Sequence, residues 1–215
     1  MKIISITPCK TTAAVKFDEY IGPHDFGCRL DKEGALILDL ETVVAEGLSE
    51  GDEIDYSRLE SIMLKSNQNR AFQAALRLIS RGDHSVEGLK RRLAQKYGLA
   101  AAEYAVNRLK ELKYLDDAAF AEKLAEYYLC HKAQSQMQAV YNMMQKGIDR
   151  KTAETAAAKF APDPVEQIKR LIDTKYKFKL NSKENINKTK AALLRKGFDY
   201  ADIRRAIAEY TKEEE

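Results

Sequence analysis

Two rhythms divide this chain. Up to about residue 65, apolar residues come in short alternating runs broken by turn formers; beyond it they recur every three to four positions. "KIISI" (2–6) and "AAVKF" (13–17) read as strands, separated by the Pro8-containing "TPCKTT". After Gly22-Pro23 comes another alternating run through Phe26, Cys28 and Leu30. "GALILDLETVVAEG" spaces Leu36, Leu40, Val43 and Val44 as on a helix, which Gly47 would end. "LSEGDEIDYSRLESIML" then predicts a Gly turn and a second helix. The polar "KSNQNR" (65–70) reads as the join to the second, longer part of the chain.

From Ala71 onward the pattern is helical, and it repeats. "RRLAQKYGLAAAEYAV", "NMMQKGIDRKTAETA" and "ALLRKGFDYADIRRAI" align on Gly98, Gly147 and Gly197, spaced 49 and 50 residues apart. Each glycine follows an amphipathic helix ending in Lys96, Lys146 or Lys196, whose charge suits the negative end of a helix dipole. The glycine is expected at the C′ position. The apolar residue after it (Leu99, Ile148 or Phe198) should pack back on the last turn. The predicted helices are 71–80, 85–97 and 100–112, then 117–130, 134–146 and 150–160, then 164–175, 182–196 and 200–210. Stripes such as Leu89/Leu93, Phe120/Leu124/Tyr127, Met137/Val140/Met144, Ile168/Leu171/Ile172 and Ile203/Ile207/Tyr210 are expected to be core. The fold class is therefore mainly α: tandem three-helix (helix-turn-helix-like) repeats preceded by a small β-rich N-terminal domain. The expected division is 1–65 for that domain and 66–115, 116–161 and 162–215 for the repeats.

Charge sharpens the division. The net charge of +3 over 215 residues conceals −6 in residues 1–65 and +9 in the remainder, with +8 between Lys169 and Arg205. A basic C-terminal portion favours a polyanion or an acidic protein face, although a solvated helical surface explains single charges as well. Mean hydropathy of −0.49 and the lack of any long apolar run argue against a membrane span, and "MKIISITPCK" has no signal-peptide core. Three widely spaced cysteines, Cys9, Cys28 and Cys130, suit reduced thiols in a cytoplasm.

Candidate chemistry is sparse. "PCKTT" has the Lys-Thr of a phosphate loop without its glycines, and G-x-G-x-x-G, H-E-x-x-H and C-x-x-C are all missing. Cys9, His24 and Cys28 could supply three zinc ligands but have no closely spaced second pair. His84, His131 and the "RGD" at Arg81–Asp83 read as surface and turn residues. Asp116-Asp117 is the one adjacent acid pair in a suggestive place. It falls where a helix begins, and there one Asp can cap while the other complements the dipole. Neither a catalytic nor a metal-binding residue is assigned, no cofactor is expected, and an enzyme is not indicated.

"LISRGDHSVEGLKRRLAQKYG" followed by "VNRLKELKYLDDAAFAEKLA" resembles the RecX family of recombination regulators. "MMQKGID" and "LLRKGFDYADIRRAI" are similar to its second and third repeats, so the likeness runs from Ala71 to Tyr210. The β-rich start is similar to an extra N-terminal domain of some members. Two departures stand out: "CHKAQSQMQAVY" lacks the Gly usual before its helix, and Gly88 stands where a helix former is more common. The resemblance implies a non-enzymatic, monomeric partner of the RecA–single-stranded DNA filament. Such proteins lie in the filament groove and suppress its ATPase, strand-exchange and co-protease activities in DNA repair and the SOS response.

The residues with fitting chemistry are Lys90, Arg91, Arg92 and Lys96 in the first repeat, and Lys146, Arg150 and Lys151 in the second. The third adds Lys177, Lys179, Lys196, Arg204 and Arg205. Two alternatives stay open: a direct DNA reader using "DYADIRRAIAEY" as a recognition helix, and a helical adaptor for another protein.

Overall fold

A computed structural model describes residues 1–19, 21, 29–160, 162–176 and 180–212. The chain forms two compact units, Met1–Leu115 and Asp116–Glu215.

The first unit begins with an antiparallel sheet, β1 (Ile3–Pro8), β2 (Thr12–Phe17) and β3 (Leu36–Asp39), in that order. Alternation works as the pattern predicts: Ala13, Val15 and Phe17 turn inward with Leu36 and Leu38, and the residues between them are more exposed. β3 is a correction. The helix expected from Leu36 starts only at α1 (Leu40–Ala45), because Leu36–Asp39 pairs with Val15–Thr12. The buried Asp39 marks the switch, its carboxylate accepting the Thr42 N–H at the start of α1. Val44, expected to be inward, is 74% exposed. Of the third alternating run, Phe26 and Cys28 lie outside the described residues, and Leu30 forms an isolated bridge with Leu36.

Lys65–Arg70, read as the join, is helical, the middle of the 24-residue α2 (Tyr56–Ile79) that Asp55 caps. Its polar residues face inward contacts: Ser66 Oγ accepts the Asp39 N–H at 2.7 Å, and Asn69 donates to Asp39 and Thr42. The first half of α2 gives Leu59, Ile62 and Met63 to the core under the sheet. The second half gives Ala71 and Ala75 to a core shared with α3 (Val86–Tyr97) and α4 (Leu99–Glu111).

The second unit holds two three-helix groups. α5 (Asp117–Glu126), α6 (Gln136–Gln145) and α7 (Arg150–Phe160) enclose Ala121, Ala125, Leu129, Met143, Ile148 and Ala157. α8 (Pro164–Leu171), α9 (Lys183–Arg195) and α10 (Tyr200–Lys212) enclose Ile168, Ile172, Leu193, Phe198, Ile203 and Ile207. Both α5 and α8 run on into a π-helical turn, Tyr127–His131 and Ile172–Tyr176. The Met stripe is rotated from expectation. Ala139 and Met143 point inward, whereas Met137 and Met144 are 72% and 41% exposed. Tyr127 is exposed too, because Ala121, Ala125 and Leu129 form the inner line of that helix.

Capping repeats with the fold. Asp55, Asp116 and Asp163 cap the first helix of each group, and Ser85, Ser135 and Ser182 the second. Asp149 and Asp199 accept N–H bonds at the start of α7 and α10. The acid pair of the "LDD" stretch is of this kind: Asp116 accepts from Ala118 and Ala119 N–H, and Asp117 lies in the first turn. The glycine turns are alike in two repeats only. At Gly147 and Gly197, paired bonds (Ile148 N–H to Met143 O, Phe198 N–H to Leu193 O) close the helix, and Ile148 and Phe198 are buried. Gly98 instead leads straight into α4, and Leu99 is 59% exposed rather than packed back.

Within the second unit the two groups dock through polar backbone contacts. The buried Gln167 on α8 donates to the carbonyls of Leu129, in the π-helical turn, and Gln134, just beyond it, at 2.8 and 2.9 Å. The Ser135 N–H donates to the Lys196 carbonyl.

Candidate nucleic-acid and filament interface

The sequence-predicted cations among the described residues differ in their local surroundings. On α3, Lys90 is tied to Glu87 (3.2 Å) and Glu103 (3.8 Å). Arg91 and Arg92 are exposed, and Lys96 lies over the Tyr97 ring at 5.4 Å. Arg92 and Lys96 are one turn apart and share a face. In the second repeat, Lys146 and Lys151 are exposed on either side of the Gly147 turn, and Arg150 is held by Glu154 at 2.7 Å, which raises its pKa. Lys177 and Lys179 lie outside the described residues, as do His24 and Cys28 of the zinc idea. Among the described residues, no group of three His, Cys, Asp or Glu is placed to hold a metal ion.

The third repeat divides its charge. Arg205 is tied to Asp202, and Lys169 is clamped between Glu166 and Glu209, which push its pKa up. Lys196 donates to the Lys132 carbonyl. Its pKa is lowered by burial and then by the charges of Lys175 and Lys132. Arg204 joins Lys183 and Lys190 around a shallow cleft of about 400 Å³ between α9 and α10. α10 offers no Asn or Gln, and one of its two arginines is neutralised, which weakens it as a base-reading helix.

A further cluster lies where the charge tally gave no hint. Lys10 and Thr12 from β2 and the turn before it, Arg29, α1, Arg70 and Arg77 on α2, and Lys96 and Tyr97 at the end of α3 enclose about 730 Å³. Arg70 and Arg77 are seven apart, with Gln73 between them on the same helix face. The Arg70 guanidinium is 5.8 Å from the Tyr97 ring centre. Burial holds its pKa below the ordinary value; Tyr97 and Asp39 oppose that, and Arg29 adds to it. The signal was available in the spacing of Arg70, Gln73 and Arg77, but only if 65–70 is read as helix.

A small sheet and tandem three-helix groups with repeated caps define a helical-repeat protein. Matches to known proteins agree with that class. The family model described as "RecX, first three-helix domain" matches residues 71–109, and "RecX, third three-helix domain" matches 162–207. The regulatory protein RecX of Bacillus licheniformis is 30% identical over 188 residues, 84% of this chain and 70% of that one. Its namesake in Halalkalibacterium halodurans is 27% identical over 179 residues, 81% and 67% of the two chains. The chain belongs to the RecX family. Two crystal structures share the fold. One, of a regulatory protein RecX, has a TM-score of 0.61 at 18% identity and covers 95% of this chain and 98% of that one. The other, RecX from Lactobacillus salivarius, has 0.57 at 23% identity and covers 67% and 97%.

Proposed function

We propose that this protein is a cytoplasmic, non-enzymatic regulator of homologous recombination and DNA repair. It binds the RecA–single-stranded DNA filament and inhibits its ATPase, strand-exchange and co-protease activities. Membership of a family whose relatives are named regulatory proteins carries the reading. The cluster Lys183/Lys190/Arg204 supports it, because it sets several cations toward one space, as contact with phosphates or an acidic protein face requires. The division at 65, 115 and 161, into a β-rich portion and three repeats, belongs to this proposal, as does the monomeric state.

Titrating the protein into RecA's DNA-dependent ATPase tests it. The rate should fall at well below one molecule per RecA protomer. An unchanged rate at stoichiometric protein would remove the proposal.

A further inference from the structure

Arg70 is half-buried, and among the described residues it forms no ion pair. Its strongest polar contact is a long one, 3.4 Å to the Ile37 carbonyl. The Asp39 carboxylate is already engaged by the Thr42 N–H, the Thr42 hydroxyl and Asn69. Lys10, Arg29, Arg77 and Lys96 line the same 730 Å³ cleft, with the exposed Glu41 as the other acid there. Three other cations of this unit are paired: Lys65 with Glu46, Lys90 with Glu87 and Glu103, and Arg108 with Glu111. Five cations gathered around one space repel one another, and an anion from outside relieves that repulsion.

The rest of the wall narrows the choice of anion. α1 contributes Leu40, Val44 and Ala45, and α3 contributes the Tyr97 ring. A guanidinium fork suits phosphate oxygens and also stacks on flat rings. Aromatic and aliphatic surface beside phosphate-binding cations is what a splayed, unstacked nucleotide needs, whereas a duplex keeps its base faces in its own stack.

We propose that this cleft binds a nucleotide of single-stranded DNA, its phosphates against Arg29, Arg70 and Arg77 and its base against Tyr97. The choice of DNA as the strand rests on the proposed function above. The cleft belongs to the sheet, α1, α2 and the end of α3, and not to the repeats of the second unit.

Binding of fluorescein-labelled oligothymidylate to the full chain, followed by anisotropy across a salt series without RecA, tests the assignment. Arg29 and Arg77 are exposed, so R29E/R77E should fold. It should weaken binding roughly tenfold or more and lower the salt slope by at least about 1.4, two contacts at about 0.7 each. Charge-matched K110E/K123E, at exposed lysines outside the cleft and outside the candidate set, should change both much less. Tyr97→Leu should weaken binding about fivefold or more with the slope kept. Equal behaviour of the two double variants, or no oligonucleotide binding by the wild type, overturns the site. Competition by polyglutamate as strong as by oligothymidylate overturns it in favour of an acidic protein ligand. Displacement by dTMP at oligonucleotide-like concentrations overturns it in favour of a free nucleotide. RecA ATPase inhibition is read separately: if it persists while the oligonucleotide arm fails, only the site falls, and if it is missing while the arm succeeds, only the regulatory reading falls.

Discussion

Gly197 combines two demands on one atom. Its φ is +82°, and a Cβ placed there would sit 2.5 Å from Ser135 Oγ and 3.0 Å from Gln138 Cβ. Backbone strain contributes about 1 kcal/mol and the intrusion about 1–3 kcal/mol more. Gly197→Ala should therefore lower the stability of the second unit by roughly 2–4 kcal/mol in urea unfolding. A loss below about 1 kcal/mol would mean that Ser135 yields freely. Lys113 presents the opposite case. It holds a φ of 59°, and Tyr114 N–H bonds to Leu109 O across it, the closure that glycine makes elsewhere. Being exposed, its side chain has little packing to lose, so Lys113→Gly should raise the stability of the first unit by up to about 1 kcal/mol. The same measurement checks it, and a destabilised variant would contradict the account. Ala133, at φ 46°, stands in the segment that lacks the glycine usual in the resembling family.

At the level of elements, α8 and α10 are joined by a tyrosine whose titration can be followed. The Tyr210 hydroxyl donates to Asp173 at 2.9 Å and lies 3.3 Å from the Lys169 carbonyl. Burial, and then the Asp173 carboxylate, push its pKa up to about 12. A folded pKa above the unfolded value of about 10 means that the native state holds this proton more tightly. The stabilisation is complete below about pH 10 and is lost as pH climbs through about 12. Wild-type stability should decline over that window, and Tyr210→Phe should flatten the decline. The tyrosinate absorbance difference between the two proteins should titrate near the upper end. A difference curve centred near the ordinary tyrosine value of about 10 would show that the α8–α10 contact is not closed in solution.

At the scale of the whole molecule, the described core residues of Asp116–Glu215 form two clusters drawn from that unit's own helices. The fragment 116–215 should accordingly fold alone, with helical far-UV circular dichroism and one cooperative melt. A fragment without cooperative unfolding would show that the first unit is needed to complete it. The first unit should behave differently when cut. α2 serves both the sheet core and the α3/α4 core, so severing it at Lys65 takes Leu59, Ile62 and Met63 away from Ala71 and Ala75.

The helices were legible from periodicity because apolar spacing, glycine stops and acidic starts are local, and each acts within a turn or two of the backbone. Asp116 is a cap for reasons contained in its own neighbourhood, and the alternation of β2 carries its inner face. What a sequence cannot carry is which face meets what. Leu36–Asp39 has a helix-compatible spacing, and only pairing with β2 makes it a strand. Met137 and Met144 look like core beside Met143 until a neighbouring helix selects the Ala139/Met143 side. The interface shows this most plainly. A running tally put the charge in the third repeat, where carboxylates a turn away or on the next helix neutralise Lys169 and Arg205. The concentrated cations of the first unit come from positions 10, 29, 70, 77 and 96, scattered through a segment whose first 65 residues are net acidic. Electrostatic fields depend on distance in space, and that distance exists only after the sheet, α2 and α3 have packed.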